Sequence, residues 1–126
     1  MLTHRKERAE TFIREELALM LQNEVKDPRV APLIVSEVSL TKDRRLARIY
    51  VSCYAGEEAL QEGMEGLRSA QGFLRSRLGQ LLHWRFTPEL EFLADRSWEY
   101  GAKIDKLFEQ LEQERATRQG DDRDTH

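Results

Sequence analysis

The sequence predicts a small α+β domain, with helices packed on one face of a three-stranded sheet. Three observations predict it. Helical periodicity occupies residues 4–25 and returns over 57–82. Strand-like alternation fills "LIVSEVSLT" (33–41) and "RLARIYVSCY" (45–54), with only "KDRR" between them. A third strand-like stretch, "HWRFTPELEFL" (83–93), appears only after the helical pair.

The first helix rests on Ala9, Phe12, Ile13, Leu17, Met20, Leu21 and Val25, which recur every three or four residues. Thr3 is a candidate cap. Pro28 forces Asp27 out of helical geometry and ends the helix. Arg5, Lys6 and Arg8 crowd its first turns, where the helix dipole favours negative charge. They read either as solvated surface or as phosphate contacts kept at a small cost in stability.

In the second strand Ala47, Ile49, Val51 and Cys53 share the face expected to lie on the helices. Leu46, Arg48, Tyr50, Ser52 and Tyr54 share the other, where the tyrosines are either plain surface residues or platforms for stacked bases.

A second helix, Glu57–Ser69, buries Leu60, Met64 and Leu67, with Glu57 and Glu58 placed to suit its dipole. Ala70-Gln71-Gly72 reads as a joint, followed by a third helix, Phe73–Leu82. A glycine there permits a bend that would expose the amides of the third helix as an anion site. Arg68, Arg75 and Arg77 surround the joint. From 3.6 residues per turn, Arg75 and Arg77 flank the leucine stripe on opposite sides. They read equally well as an anion site or as side chains snorkelling beside a buried stripe. Pro88 places the third strand at an edge or bulge. Ser97 is a candidate cap for a last helix, Trp98 to about Glu114, with Ile104, Leu107, Phe108 and Leu111 on one stripe. The domain is expected to span 1–114, with 115–126 a disordered acidic tail.

Charge is distributed unevenly. Net charge is −3, yet residues 1–88 hold 14 Lys/Arg against 12 Asp/Glu, and residues 89–126 hold 6 against 11. Leu67 to Pro88 contains four arginines and no acid. No run approaches the roughly 18 apolar residues of a membrane span, and no signal peptide opens the chain, so a cytoplasmic protein is expected.

No catalytic constellation stands out. His4, His83 and His126 have no metal-ligand spacing with one another or with Cys53, and Cys53 falls on the presumed core face as a buried thiol. No nucleophile elbow or phosphate loop appears. "GMEG" (63–66) has the letters of the backbone-clamping GxxG loop of KH domains, but it falls within a helix beside Leu60, Met64 and Leu67. Glu65 would also repel phosphate. Its glycines read instead as allowing close packing. An adaptor docking a partner through the last helix is the second reading, and a small hydrolase without a recognisable site the third.

Three blocks, "NEVKDPRV" (23–30), "SAQGFLRSRLG" (69–79) and "RFTPELEFLADRSWEYG" (85–101), resemble the ribosome-binding factor A family over about Arg8 to Leu111. The resemblance implies a type II KH-like fold (α-β-β-α-kink-α-β) with a further C-terminal helix. It implies a helix-kink-helix at Ala70-Gln71-Gly72 in place of the GxxG loop. It also implies a non-enzymatic, monomeric factor without a cofactor. Such a factor binds the immature 30S subunit through 16S rRNA, supports late maturation, rRNA processing and growth in the cold, and works beside other small-subunit maturation factors. Carried over to this chain, the RNA-binding candidates are Arg5, Lys6, Arg8, Lys26, Arg29, Arg68, Ala70, Gln71, Gly72, Arg75, Arg77 and Arg85.

Overall fold

A computed structural model describes residues 2–96 and 107–115. Ser97, Trp98, Ile104 and the segment 116–126 lie outside the described residues. The chain forms two compact units, 1–95 and 96–126.

The first unit runs α1 (Leu2–Asn23), a 3₁₀ turn (Pro28–Val30), β1 (Leu33–Leu40), β2 (Leu46–Cys53), α2 (Glu57–Leu82) and β3 (Glu89–Ala94). The sheet order is β1-β2-β3, with β1 antiparallel and β3 parallel to the central β2. The expected α+β class therefore holds. In the second unit residues 107–115 are helical, with Leu107, Phe108 and Leu111 exposed.

The core forms where helix stripes meet one sheet face. From α1 come Ile13, Leu17, Met20 and Leu21, from β2 Ala47, Ile49, Val51 and Cys53, and from α2 Leu60, Met64, Leu67, Leu74 and Leu78, all buried. The alternation expected for β2 is thus realised, and Cys53 is a buried thiol. On β1 the buried positions change phase, from Val35 to Val38 and Leu40. A bulge between Val35 and Glu37 supplies the extra residue that shifts the alternation. The hydroxyl of the extra residue, Ser36, lies 2.7 Å from Asp95 Oδ2 and 3.0 Å from the Tyr50 carbonyl oxygen, its single proton shared between the two acceptors.

Three expectations need correction. Thr3 lies inside α1, which already begins at Leu2, so it is not the cap. The third strand starts at Glu89, not His83. His83 ends α2 in the left-handed region (φ 55°), and β2 offers partners to β3 only from Leu46, opposite Glu89. The joint at Ala70-Gln71-Gly72 is absent as a break, because α2 is one helix of 26 residues. Gly72 has no positive φ; among the described residues Gly56, ahead of α2, is the glycine that does. Leu67 on one side and Leu74 and Leu78 on the other are all buried, and that tertiary packing carries the helix through a residue of low propensity. The amides of Phe73 and its neighbours therefore lie within the helix, and no N-terminal anion site opens there.

Candidate nucleic-acid interface

The 12 candidate residues fall into separate groups. Helix α2 has two working flanks outside its buried stripe. On one flank, Gly63 and Gly66 admit the 3₁₀ turn and its surroundings. A Cβ at Gly63 would stand 2.6 Å from Leu33 Cδ2, and one at Gly66 2.9 Å from Val30 Cγ1. "GMEG" is therefore a packing groove within a helix, as its placement beside the buried stripe suggested.

The "VKDPR" block lies against this groove. Asp27 accepts from the Arg29 amide at 3.0 Å, capping the turn, and from Arg29 Nη2 at 2.7 Å. Those bonds hold the Asp27 carboxyl below its usual pKa and raise that of Arg29. Arg77, on the same flank of α2, reaches Glu24 at 2.8 Å. That hydrogen-bonded pair lowers the Glu24 pKa and raises that of Arg77. Lys26 is exposed between these pairs.

On the opposite flank Gln71 Nε2 donates to the Leu90 carbonyl at 2.6 Å, and Arg75 donates to the carbonyls of Thr87 and Pro88 at 3.0 and 3.2 Å. β3 is an edge strand, and these two side chains give carbonyls at and before its start a partner. Ala70 packs against the core. Arg75 and Arg77 do flank the leucine stripe on opposite sides, so they do not share one site.

Beside the β3 flank runs an exposed row. Arg68, Gly72 and Arg75 fall within about 60° of arc and climb about 10 Å along the axis, from 3.6 residues per turn and 1.5 Å per residue. All three are exposed. A Cβ at Gly72 would meet nothing within 4 Å, so packing does not explain this glycine. Among the described residues Arg68 has no ion pair or hydrogen bond. The row thus offers two guanidinium groups on either side of a stretch of backbone that a large anion can approach closely.

Arg5 and Arg8 lie near a different end of the fold. Arg5, Arg8 and Phe12 line a groove there with Leu82, Trp84 and Arg44, and Lys6 is exposed on the same helix. The Arg44 guanidinium lies 4.8 Å from the centre of the Trp84 ring. Phe86 receives Arg45 at 5.0 Å and Arg85 at 5.5 Å. Arg44, Arg45, Trp84, Phe86 and the exposed edge of Phe12 escaped sequence reasoning. The signal was the basic "KDRR" turn and the aromatics of "HWRF", which the chain alone does not bring together. Tyr50 is half-buried and Tyr54 is 76% exposed. Arg48 and Glu91, cross-strand partners, approach at 3.9 Å.

Known proteins resemble the chain throughout this region. The family model for ribosome-binding factor A matches residues 5–108. A ribosome-binding factor A from Caldanaerobacter subterraneus subsp. tengcongensis is 38% identical over 122 residues, covering 96% of this chain and 97% of that protein. The crystal structure of ribosome-binding factor A from Thermus thermophilus superposes with a TM-score of 0.63 at 31% identity, covering 71% of this chain and 93% of that one. A homology model of the Thermus thermophilus ribosome-binding factor A, fitted into a cryo-EM map of its 30S complex, gives a TM-score of 0.51 at 31% identity, with 68% of this chain and 93% of that one covered. With its described fold, its three sequence blocks and a family match over most of its length, this chain belongs to the ribosome-binding factor A family.

Proposed function

We propose that this chain is a non-catalytic assembly factor of the cytoplasm that binds the immature 30S subunit through 16S rRNA. It supports late maturation and rRNA processing, and growth in the cold. Family membership and the 30S complex of its Thermus relative support the partner. The observation that carries the mode of binding is the exposed Arg68–Gly72–Arg75 row, in a segment without acids from Leu67 to Pro88. Phosphates of folded rRNA lie along this row and against the exposed lysines and arginines of α1 and the loops. Arg29 and Arg77 contribute less, because each is already held by a carboxylate. Individual contacts of this kind are weak and salt-dependent, so binding rests on many together.

Co-sedimentation with purified small subunits over a salt series tests the proposal. Wild-type protein should bind and release as salt rises. Arg68→Ala should weaken binding and flatten the salt dependence by about 0.7–0.9 in log–log slope, the share of one phosphate contact. Gly72→Ala should weaken binding while leaving the protein folded. Wild-type binding by both variants would remove the row from the interface. Absence of binding by the wild type would remove the assembly-factor reading.

A further inference from the structure

The groove between the start of α1, the end of α2 and the β1–β2 turn is built differently from the α2 row. It is an open, shallow depression of about 540 Å³. Phe12, Leu82 and Trp84 form its apolar wall, and Arg5, Arg8 and Arg44 stand around it. Among the described residues no carboxylate lines it. On α1, Arg5, Arg8 and Phe12 fall within about 60° of arc; Glu10 lies on the far side of that stripe, whereas Glu7 and Glu15 line the neighbouring hollow with Arg8 and Phe12, outside the groove. Phe12 stays 38% exposed although its spacing predicts a core residue. Arg5 and Arg8 have no ion pair or hydrogen bond among the described residues. The Arg44–Trp84 stack supplies what an unpaired base needs, a flat cationic and aromatic surface.

We infer that this groove holds an unpaired nucleotide of single-stranded RNA, its base stacked against the Arg44–Trp84 pair and Phe12 and its phosphates on Arg5 and Arg8. The inference rests on the small-subunit reading above but adds a second contact of a different kind. The α2 row meets backbone phosphate, whereas the groove selects a base that has left its helix. Phosphate alone would need no apolar wall, and an apolar peptide would need no ring of three arginines.

Trp84 reports on its own groove. In a Trp98→Phe background it is the only tryptophan. Oligoadenylate should quench its emission, and double-stranded RNA at equal phosphate concentration should quench it much less. With fluorescently labelled oligoadenylate, Trp84→Leu should weaken binding by roughly 5- to 150-fold, the range of a single base–aromatic stack. Arg5→Gln/Arg8→Gln changes only exposed positions, so it tests the groove even where Trp84→Leu folds poorly, and it should weaken binding and reduce the salt slope. Equal quenching by poly-glutamate would show attraction by charge alone and overturn the inference. A dimer that Trp84→Leu dissociates, without quenching by oligoadenylate, would assign the groove to a second copy and also overturn it. No quenching with co-sedimentation intact removes the groove and leaves the assembly-factor reading standing, whereas loss of both removes that reading itself.

Discussion

Gly66→Ala and Gly72→Ala add the same methyl group to the same helix, yet their effects on stability should differ by about 1–3 kcal/mol. Both gain helix propensity, about 0.8–1 kcal/mol for glycine to alanine. At Gly72 nothing stands within 4 Å of the new Cβ, so the gain is kept whole. Melting should rise by roughly 4–8 °C for about 1 kcal/mol in a domain of this size. At Gly66 the Cβ falls 2.9 Å from Val30 Cγ1 and 3.2 Å from Asp27 Oδ2. Val30 is 1% exposed and β-branched, so its methyl has no free rotamer to turn into. Overpacking of this kind costs about 1–3 kcal/mol, which leaves Gly66→Ala between about neutral and 2 kcal/mol destabilised. Thermal unfolding followed by far-ultraviolet circular dichroism gives both values. A Gly72→Ala protein less stable than wild type, or a Gly66→Ala protein as stable as Gly72→Ala, would refute the assignment of one glycine to packing and the other to an open surface.

Two further predictions concern polar contacts. Glu24 and Asp27 are held below their usual pKa by bonds from Arg77 and Arg29, so their folded forms bind fewer protons than the unfolded chain. Their stabilising contribution is full above the ordinary carboxylate pKa and is lost as pH falls through the lowered folded values. A Glu24→Gln/Asp27→Asn protein should therefore lose less stability than wild type in urea melts taken down an acid series, and parallel curves would refute this. Ser36→Ala removes the hydroxyl that bridges the bulge to Asp95 and the Tyr50 carbonyl. It should cost about 1.5–3 kcal/mol, the range for a hydrogen bond to a charged group, and an unchanged urea midpoint would count against the bridge.

The order of elements was legible because period-2 and period-3.6 patterns meet in the chain with little overlap. The β2 alternation named its four buried residues one by one. The "GMEG" glycines were legible as packing residues from the leucine and methionine spacing around them, although Leu33 and Val30, which fill the groove, were not. Gly72 misled because local propensity argues for a break, while the buried leucines on both sides outweigh it. The start of β3 was read too early since Trp84 and Phe86 favour strands, but a strand ends where its partner does, and β2 reaches no further than Leu46. The arginine–aromatic groove lay beyond sequence reading for a different reason. Its wall comes from three segments that only the sheet topology brings together. Gln71 and Arg75 could be read as candidate ligands from sequence, but their bonds to Leu90, Thr87 and Pro88 follow from the edge position of β3.

Parallel pairing of β2 with β3 also sets an order in time. A hairpin can close β1 on β2 as soon as "KDRR" turns, whereas β3 can join only after all of α2 has crossed between them. A chain emerging from its N-terminus therefore holds β2 with one bare edge until Glu89 arrives. During that interval Gln71 and Arg75 lack the Leu90, Thr87 and Pro88 carbonyls that they hold in the folded chain. The last strand made thus adds the final hold on α2, on the flank beside the proposed row, to those already supplied by the 3₁₀ turn, by Glu24 and by the core.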